Sequence, residues 1–363
     1  MKPFRSIAGG VLLSLTILVT ACAPTPVQPP DAQVTIVDAL GRTVSWDAPP
    51  ERMVISGKSN FMINDAIYLY PEALDRVVAL TKARQTTTPF LSLLDSDYDD
   101  KVRFALESTA EEIATADPDV VFLKRFMRES VGNGLEALGI PVVYLDLETP
   151  EQYEREIALL GTIFGSPERA EVVWSFYQAR LDRISEGLTD LQDIQAPTVL
   201  VVQYSSKGEE VALEVPPASW IQTQMVEIAG GDPVWGDASQ GGWTVVNFEQ
   251  IAAWNPDRIF VINYSDDVDA AVDRLASNPD WQALQAVQAG QLFGFPKDFY
   301  SWDQPDTRWI LGLTWMATKM YPVQFEDVDM GEEIASFYGE LYGLDPATVE
   351  AEVLPLLEGD VTP

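Results

Sequence analysis

Apolar residues along this chain gather into short runs separated by stretches of helical period. That alternation is expected of strands buried on both faces and covered by helices. In the first half the runs occupy 53–55, 77–80, 120–123 and 142–145, with helical segments near 60–72, 109–116 and 130–138. In the second half, 198–203, 258–263 and 291–295 read as strands, 219–229 and 268–276 as helices, and 306–320 as a strongly apolar helix. Ahead of all of these, residues 34–46 alternate apolar and polar positions around Leu40-Gly41-Arg42, which predicts a β-hairpin. The pattern as a whole predicts an α/β fold with mainly parallel sheets.

One unit of this pattern occurs twice. TAEEIATADPDVVFL, starting at Thr109, returns 138 residues later as NFEQIAAWNPDRIFV, starting at Asn247, with six of fifteen positions identical. In each copy a capping residue (Thr109, Asn247) stands three residues before Glu112 or Gln250, the spacing of a capping box. A short helix follows, Pro-Asp ends it, and an apolar run reads as a buried strand. A helix–turn–strand unit repeated at that distance predicts two similar lobes. Between the copies, Thr149-Pro150-Glu151-Gln152 opens a helix that pauses at Phe164-Gly165 and restarts at Ser166-Pro167-Glu168. An apolar stripe from Ala170 to Leu188 then marks a connecting strut.

Composition narrows the class. The chain has 363 residues, is 47% hydrophobic and 10% aromatic, and carries a formal charge of −33, which disfavours nucleic acid as a partner. It contains no histidine, so the common proton shuttle and the commonest metal ligand are both missing. Residues 1–22 have the form of a secretion signal, with Lys2 and Arg5 before an apolar run that ends at Thr20-Ala21-Cys22. Cys22 is the only cysteine, and Val19-Thr20-Ala21-Cys22 resembles the lipobox of bacterial lipoproteins. Residues 23–33 are proline-rich and predict a semi-rigid tether, which places the protein outside the cell membrane on a lipid anchor.

Ligands of open parallel sheets sit beyond the carboxyl ends of the strands. Five lysines fall at predicted strand exits: Lys58, Lys82, Lys124, Lys207 and Lys297, with Arg125 beside Lys124. They predict a locally cationic cleft that attracts an anion. Near the same edges stand Tyr204, Trp220, Trp235, Trp243, Tyr264, Phe299, Tyr300 and Trp302, aromatic walls suited to a bulky ligand, and Arg308 is a further candidate for an anion. No catalytic constellation, phosphate loop or metal-ligand spacing is present, so neither an enzyme nor a resident cofactor is expected.

The lipobox, the two Glu-bearing units, the linking helix and the tryptophan-rich segment together resemble the substrate-binding lipoproteins of ABC importers for ferric siderophores, haem and cobalamin, the class III periplasmic binding proteins. The resemblance implies two Rossmann-like lobes joined by a long rigid helix. It divides the chain into a signal (1–22), a tether (23–33), an N-terminal lobe (34–149), a linking helix (150–190), a C-terminal lobe (195–325) and an acidic, partly helical tail (326–363). It further implies that Glu111 and Glu249, one per lobe, dock on arginines of the permease, whose partner ATPase hydrolyses ATP, and that this chain acts as a monomer and is not an enzyme. The implied cargo is an anionic ferric siderophore or related metal chelate. Lack of histidine argues against His-ligated haem and bare Zn or Mn, while Tyr-ligated haem, a corrinoid, and molybdate or tungstate stay open. From other classes, a lipid-anchored ligand sensor and an exported α/β hydrolase remain the competing readings.

Overall fold

Each half of the chain builds its own sheet, and the apolar runs form the central strands. The computed structural model describes residues 34–82, 89–191, 195–207, 210–236, 238, 241–265 and 267–361; the signal with Cys22 and the tether lie outside the described residues. The hairpin β1 (Val34–Val37) and β2 (Thr43–Trp46) forms as expected. The first sheet holds β3 (Met53–Ile55), β4 (Val77–Thr81), β5 (Val102–Phe104), β6 (Val120–Lys124) and β7 (Val142–Leu145) in the order β5-β4-β3-β6-β7, all parallel. Chain direction across this sheet reverses between β3 and β6, the switch point of a Rossmann-like fold. β5 was not legible in the sequence, because Val102 and Phe104 flank Arg103 in a run too short and too charged to stand out.

The second sheet is mixed, within the mainly parallel arrangement expected. It comprises β8 (Thr198–Lys207), β9 (Glu210–Val215), β10 (Asp232–Pro233), β11 (Thr244–Val246), β12 (Arg258–Ile262) and β13 (Leu292–Gly294), ordered β11-β9-β8-β12-β13 with β10 beside β8. β12 runs parallel to β8 and β13, but β8 and β9 pair antiparallel, and so do β9 and β11. The reason is the connection: only two residues separate β8 from β9, too few for the crossover a parallel pair needs, so β9 folds straight back on β8.

The repeated unit has the same internal structure in both lobes. Thr109 Oγ1 accepts from Glu112 N at 3.3 Å while Thr109 N donates to Glu112 Oε2 at 2.8 Å; Asn247 and Gln250 make the same reciprocal pair at 2.9 and 3.0 Å. Both helices end through a residue with positive φ, Asp117 at 51° and Asn255 at 42°. The aspartate after each proline then fixes the start of the neighbouring strand. Asp119 Oδ2 accepts from Arg52 N at 2.9 Å, ahead of β3, and Asp257 Oδ2 accepts from Thr198 N at 2.8 Å, at the head of β8.

The connecting segment is two helices, Pro150–Phe164 and Pro167–Gly187, rather than one. Gly165 turns the chain at φ 72°, and Ser166 N reaches back to Gly161 O at 2.8 Å, the bond of a glycine-terminated helix. Tyr153 and Tyr177, equally far from Gly165, meet with ring centres 5.8 Å apart, so the helices run antiparallel. At one end of the second helix Arg169 Nε donates to Leu69 O of the first lobe at 2.8 Å; at the other, Gly187 abuts the Phe325 ring closely enough to exclude a Cβ.

The lobes are further joined by a buried ionic cluster. Arg308, which the sequence offered as an anion-binding residue, is fully buried. Its Nη1 meets Asp65 Oδ2 of the first lobe at 2.5 Å and Asp306 Oδ2 at 3.3 Å, and its Nε meets Asp298 Oδ1 at 2.8 Å. Trp302 Nε1 donates to Asp298 Oδ2 at 3.0 Å, and the Phe90 ring lies 4.5 Å from the guanidinium carbon. The acidic tail closes this cluster. Tyr338 accepts from Arg308 Nε at 3.0 Å and donates to Asp298, and Tyr342 OH donates to Asp65 O at 3.0 Å. Farther on, the tail pairs with the second lobe through Lys297 Nζ–Glu358 Oε2 at 2.9 Å.

Removing the sole guanidinium among three buried carboxyls leaves them without a counter-charge. Arg308→Met is expected to lower unfolding free energy by about 3–5 kcal/mol in urea titrations. Burial, opposed by Arg308, raises Asp65 to a pKa of about 6 and Asp306 to about 8. Both are protonated more readily folded than unfolded, so their stabilising contribution is complete below about pH 4 and is lost as pH rises through about 6 and 8. The urea midpoint should therefore fall across that window, and less steeply in Asp306→Asn.

Candidate functional site

A cleft of about 550 Å³ opens between the lobes. Its first wall comes from the carboxyl ends of the first sheet and the helix after β3: Ser59, Phe61 and Met62, then Lys124 at the end of β6 with Arg125 and Phe126 beyond it, then Asp146 and Glu148 after β7. The second wall takes Gln203 from β8, Tyr264 after β12, Trp220 and Gln222 at the start of the helix Ile221–Ile228, Trp243 ahead of β11, and Gln304-Pro305. The cleft thus spans β3 and β6 on one side and β8 and β12 on the other, where parallel sheets offer a crevice.

Of the residues proposed from sequence, Lys124, Arg125, Trp220, Trp243 and Tyr264 come together here. Trp220 meets Trp243 edge to face at 5.8 Å, and Trp243 meets Tyr264 the same way at 6.1 Å, forming one aromatic wall. Tyr264 is fixed from behind: its OH donates to Asp303 Oδ2 at 2.6 Å, where Gln222 Nε2 also donates at 3.0 Å, and Ser301 Oγ donates to Asp303 Oδ1 at 2.5 Å. Burial raises the Asp303 carboxyl, with these three donors pulling the other way, and burial beside Asp303 holds the Tyr264 hydroxyl well above its usual range.

The other candidates lie elsewhere. Lys58 and Lys82 are exposed but do not line the cleft, and Lys297 is held by Glu358. Lys207 ends β8, and its side chain lies outside what is described. Tyr204 follows Gln203 along β8 and so points to the opposite face, into the core. Tyr300 stacks on Phe61 at 4.5 Å, behind the wall. Trp302, Phe299 and Arg308 belong to the buried ionic cluster, and Trp235 Nε1 is spent on Pro216 O at 2.7 Å.

The expected cationic character does not form either. Lys124, almost fully buried, pairs with Glu148 Oε1 at 2.6 Å and also donates to Asp146 O; Arg125 Nε pairs with Asp146 Oδ1 at 3.0 Å. Two cations and two carboxylates line the cleft, so its charge is balanced. Strand exits brought both signs together, and counting lysines alone could not reveal that. Behind this wall, buried Glu156 accepts from Asp146 N and Leu147 N at 2.9 Å each and orients the loop; burial raises its pKa to about 7. Gln203, Gln222 and Gln304 carry neither charge nor an aromatic ring, so neither signal marked them; the position of Gln203 at the end of TVLVVQ was the available one.

Glu111 and Glu249 are exposed, each at the second position of its short helix, Ala110–Ala114 and Phe248–Trp254. Those helices begin after β5 and β11, both parallel to the central strands of their sheets, so each glutamate stands at the carboxyl edge that borders the cleft. Among the described residues, no group of three or more acidic or sulfur-bearing side chains is placed to hold a bare metal ion. No described helix is long and apolar enough to cross a membrane.

Two lobes around an interlobe cleft are the architecture of a class III solute receptor. The chain belongs to the periplasmic binding protein family, whose model matches residues 69–299, and it is thereby a periplasmic solute-binding protein of an ABC transporter. Over 321 residues it is 24% identical to the molybdate-binding protein MolA of Haemophilus influenzae, covering 77% of this chain and 86% of MolA. The molybdate-bound MolA structure matches with a TM-score of 0.66 over 86% of this chain and 98% of that one, at 19% identity. A periplasmic solute-binding protein from Veillonella parvula matches at 0.71 and 23% identity, covering 89% and 97% of the two chains. A nickel–histidine complex of CeuE from Helicobacter pylori matches at 0.68 and 18%, covering 89% and 99%.

Asp303→Ala removes the acceptor shared by Tyr264, Gln222 and Ser301. It should destabilise the protein by about 2–3 kcal/mol in denaturant titrations and change the tryptophan emission, since Trp243 abuts Tyr264.

Proposed function

We propose that this protein captures a bulky metal chelate, of the ferric-siderophore type, outside the cell membrane and delivers it to an ABC permease. The observation that carries this reading is the cleft itself, about 550 Å³ with a wall of Trp220, Trp243 and Tyr264. That size and lining suit an organic ligand with polar groups at its edge. A bare tetrahedral oxyanion fills only a small part of such a space, and its charge would meet Asp146 and Glu148 beside Lys124 and Arg125.

A second reading, an oxyanion cargo, is favoured by the similarity to MolA and is kept as the alternative. Cargo capture alone requires no chemistry from this chain, and ATP hydrolysis falls to the partner ATPase. Cys22 supplies the lipid anchor in this reading, and the protein works as a monomer. Glu111 and Glu249 serve as docking groups. Their matched places, exposed at the cleft edge of each lobe, support that role beyond the favourable position of any acid at a helix start.

Two measurements test the proposal. Native mass spectrometry of the unlipidated protein against ferric siderophores, corrinoids, haem, molybdate and tungstate should retain a chelate; retention of an oxyanion alone would transfer the assignment to the second reading. Glu111→Lys combined with Glu249→Lys is expected to abolish cargo uptake in cells while affinity for cargo stays within about twofold. Uptake that survives the double reversal contradicts docking through these residues.

A further inference from the structure

Three glutamines of the second lobe line the cleft, and each has one buried amide atom that meets no partner: Gln203 Oε1, Gln222 Oε1 and Gln304 Nε2. Gln222 and Gln304 are each 3% exposed. A buried amide atom left unpaired costs about 1–3 kcal/mol, a cost that a ligand supplying the missing bond would remove. Gln222 is held in place, because its Nε2 already donates to Asp303 at 3.0 Å. Amide groups offer hydrogen-bond donors and acceptors but no charge.

The opposite wall adds no net charge. Lys124 is matched by Glu148 at 2.6 Å and Arg125 by Asp146 at 3.0 Å. A polyanionic ligand would have to separate these pairs or lie against their carboxylates, in a chain whose formal charge is −33. An uncharged ligand leaves both pairs intact and answers the amides instead. We propose that the cleft selects an electroneutral metal chelate whose outer surface presents amide-type donors and acceptors, with Gln203, Gln222 and Gln304 as the specificity-determining contacts. This rests on the chelate-capture reading above and replaces the anionic cargo expected from the lysines with a neutral one.

The test titrates the protein, followed by tryptophan emission and calorimetry, with a neutral ferric tris-hydroxamate, a trianionic ferric tris-catecholate of similar size, and molybdate. The neutral chelate should bind at least about tenfold more tightly than the trianion, and Gln203→Leu or Gln304→Leu should each weaken it by about tenfold, the loss of one hydrogen bond. Equal or tighter binding of the trianion overturns the inference while leaving chelate capture standing. Leucine variants that fold normally by circular dichroism and keep full affinity for the neutral chelate also overturn it. If either variant fails to fold, the ranking of ligands by the unmodified protein decides. Binding of molybdate alone, or of none of the three, removes the chelate reading and this inference together.

Discussion

Arg308 is the charge on which the arrangement of the lobes depends. A guanidinium with no exposed surface is tolerated because Asp65, Asp298 and Asp306 surround it and aromatic rings cover it. Desolvation of four ionisable groups is expensive, so the cluster holds only while every element supplying it stays in place. Those elements are the helix after β3, the segment from Pro296 to the helix Trp309–Met320, and the tail carrying Tyr338 and Tyr342. A wide hinge motion would pull Asp65 away from Arg308 and strand both. The antiparallel helix pair about Gly165 adds a second tie between the lobes. Together these ties resist a wide separation of the lobes.

Within that brace the two lobes solve one local problem in one way. Each opens its repeated helix with a capping box, turns through a residue of positive φ before proline, and uses the next aspartate to hold the chain at the start of the adjacent strand. This fixes β6 against β3 and β12 against β8, the two strand pairs whose ends frame the cleft. The cleft and the two glutamates proposed to dock therefore share a foundation. The same short unit sets where the strands end and where Glu111 and Glu249 stand.

The cleft shows how far a linear reading reaches. Trp220, Trp243 and Tyr264 were found because aromatics near strand ends are uncommon enough to notice, and Lys124 and Arg125 because they follow a strand that is unmistakable. Tyr204 was misplaced by a single residue: Gln203 faces the cleft and Tyr204 the core, and side chains on a strand alternate. Arg308 and Trp302 stood in a promising loop, but that loop runs inward, where their polar atoms answer Asp298. The sign of the cleft was misread because Asp146 and Glu148 follow a different strand from the lysine and arginine they neutralise.

Local order was thus written in the sequence: strand runs, capping boxes, the break at Gly165, the duplication and the parallel first sheet. These follow from periodicity and from bonds between residues a few positions apart, and each can be read without knowing what lies opposite. Which charges cancel, which aromatic forms a wall and which fills a core, and where the acidic tail docks were decided only when the sheets and the tail came together. Asp65 and Arg308 are 243 positions apart, and a contact between such distant residues leaves no trace in the neighbourhood of either.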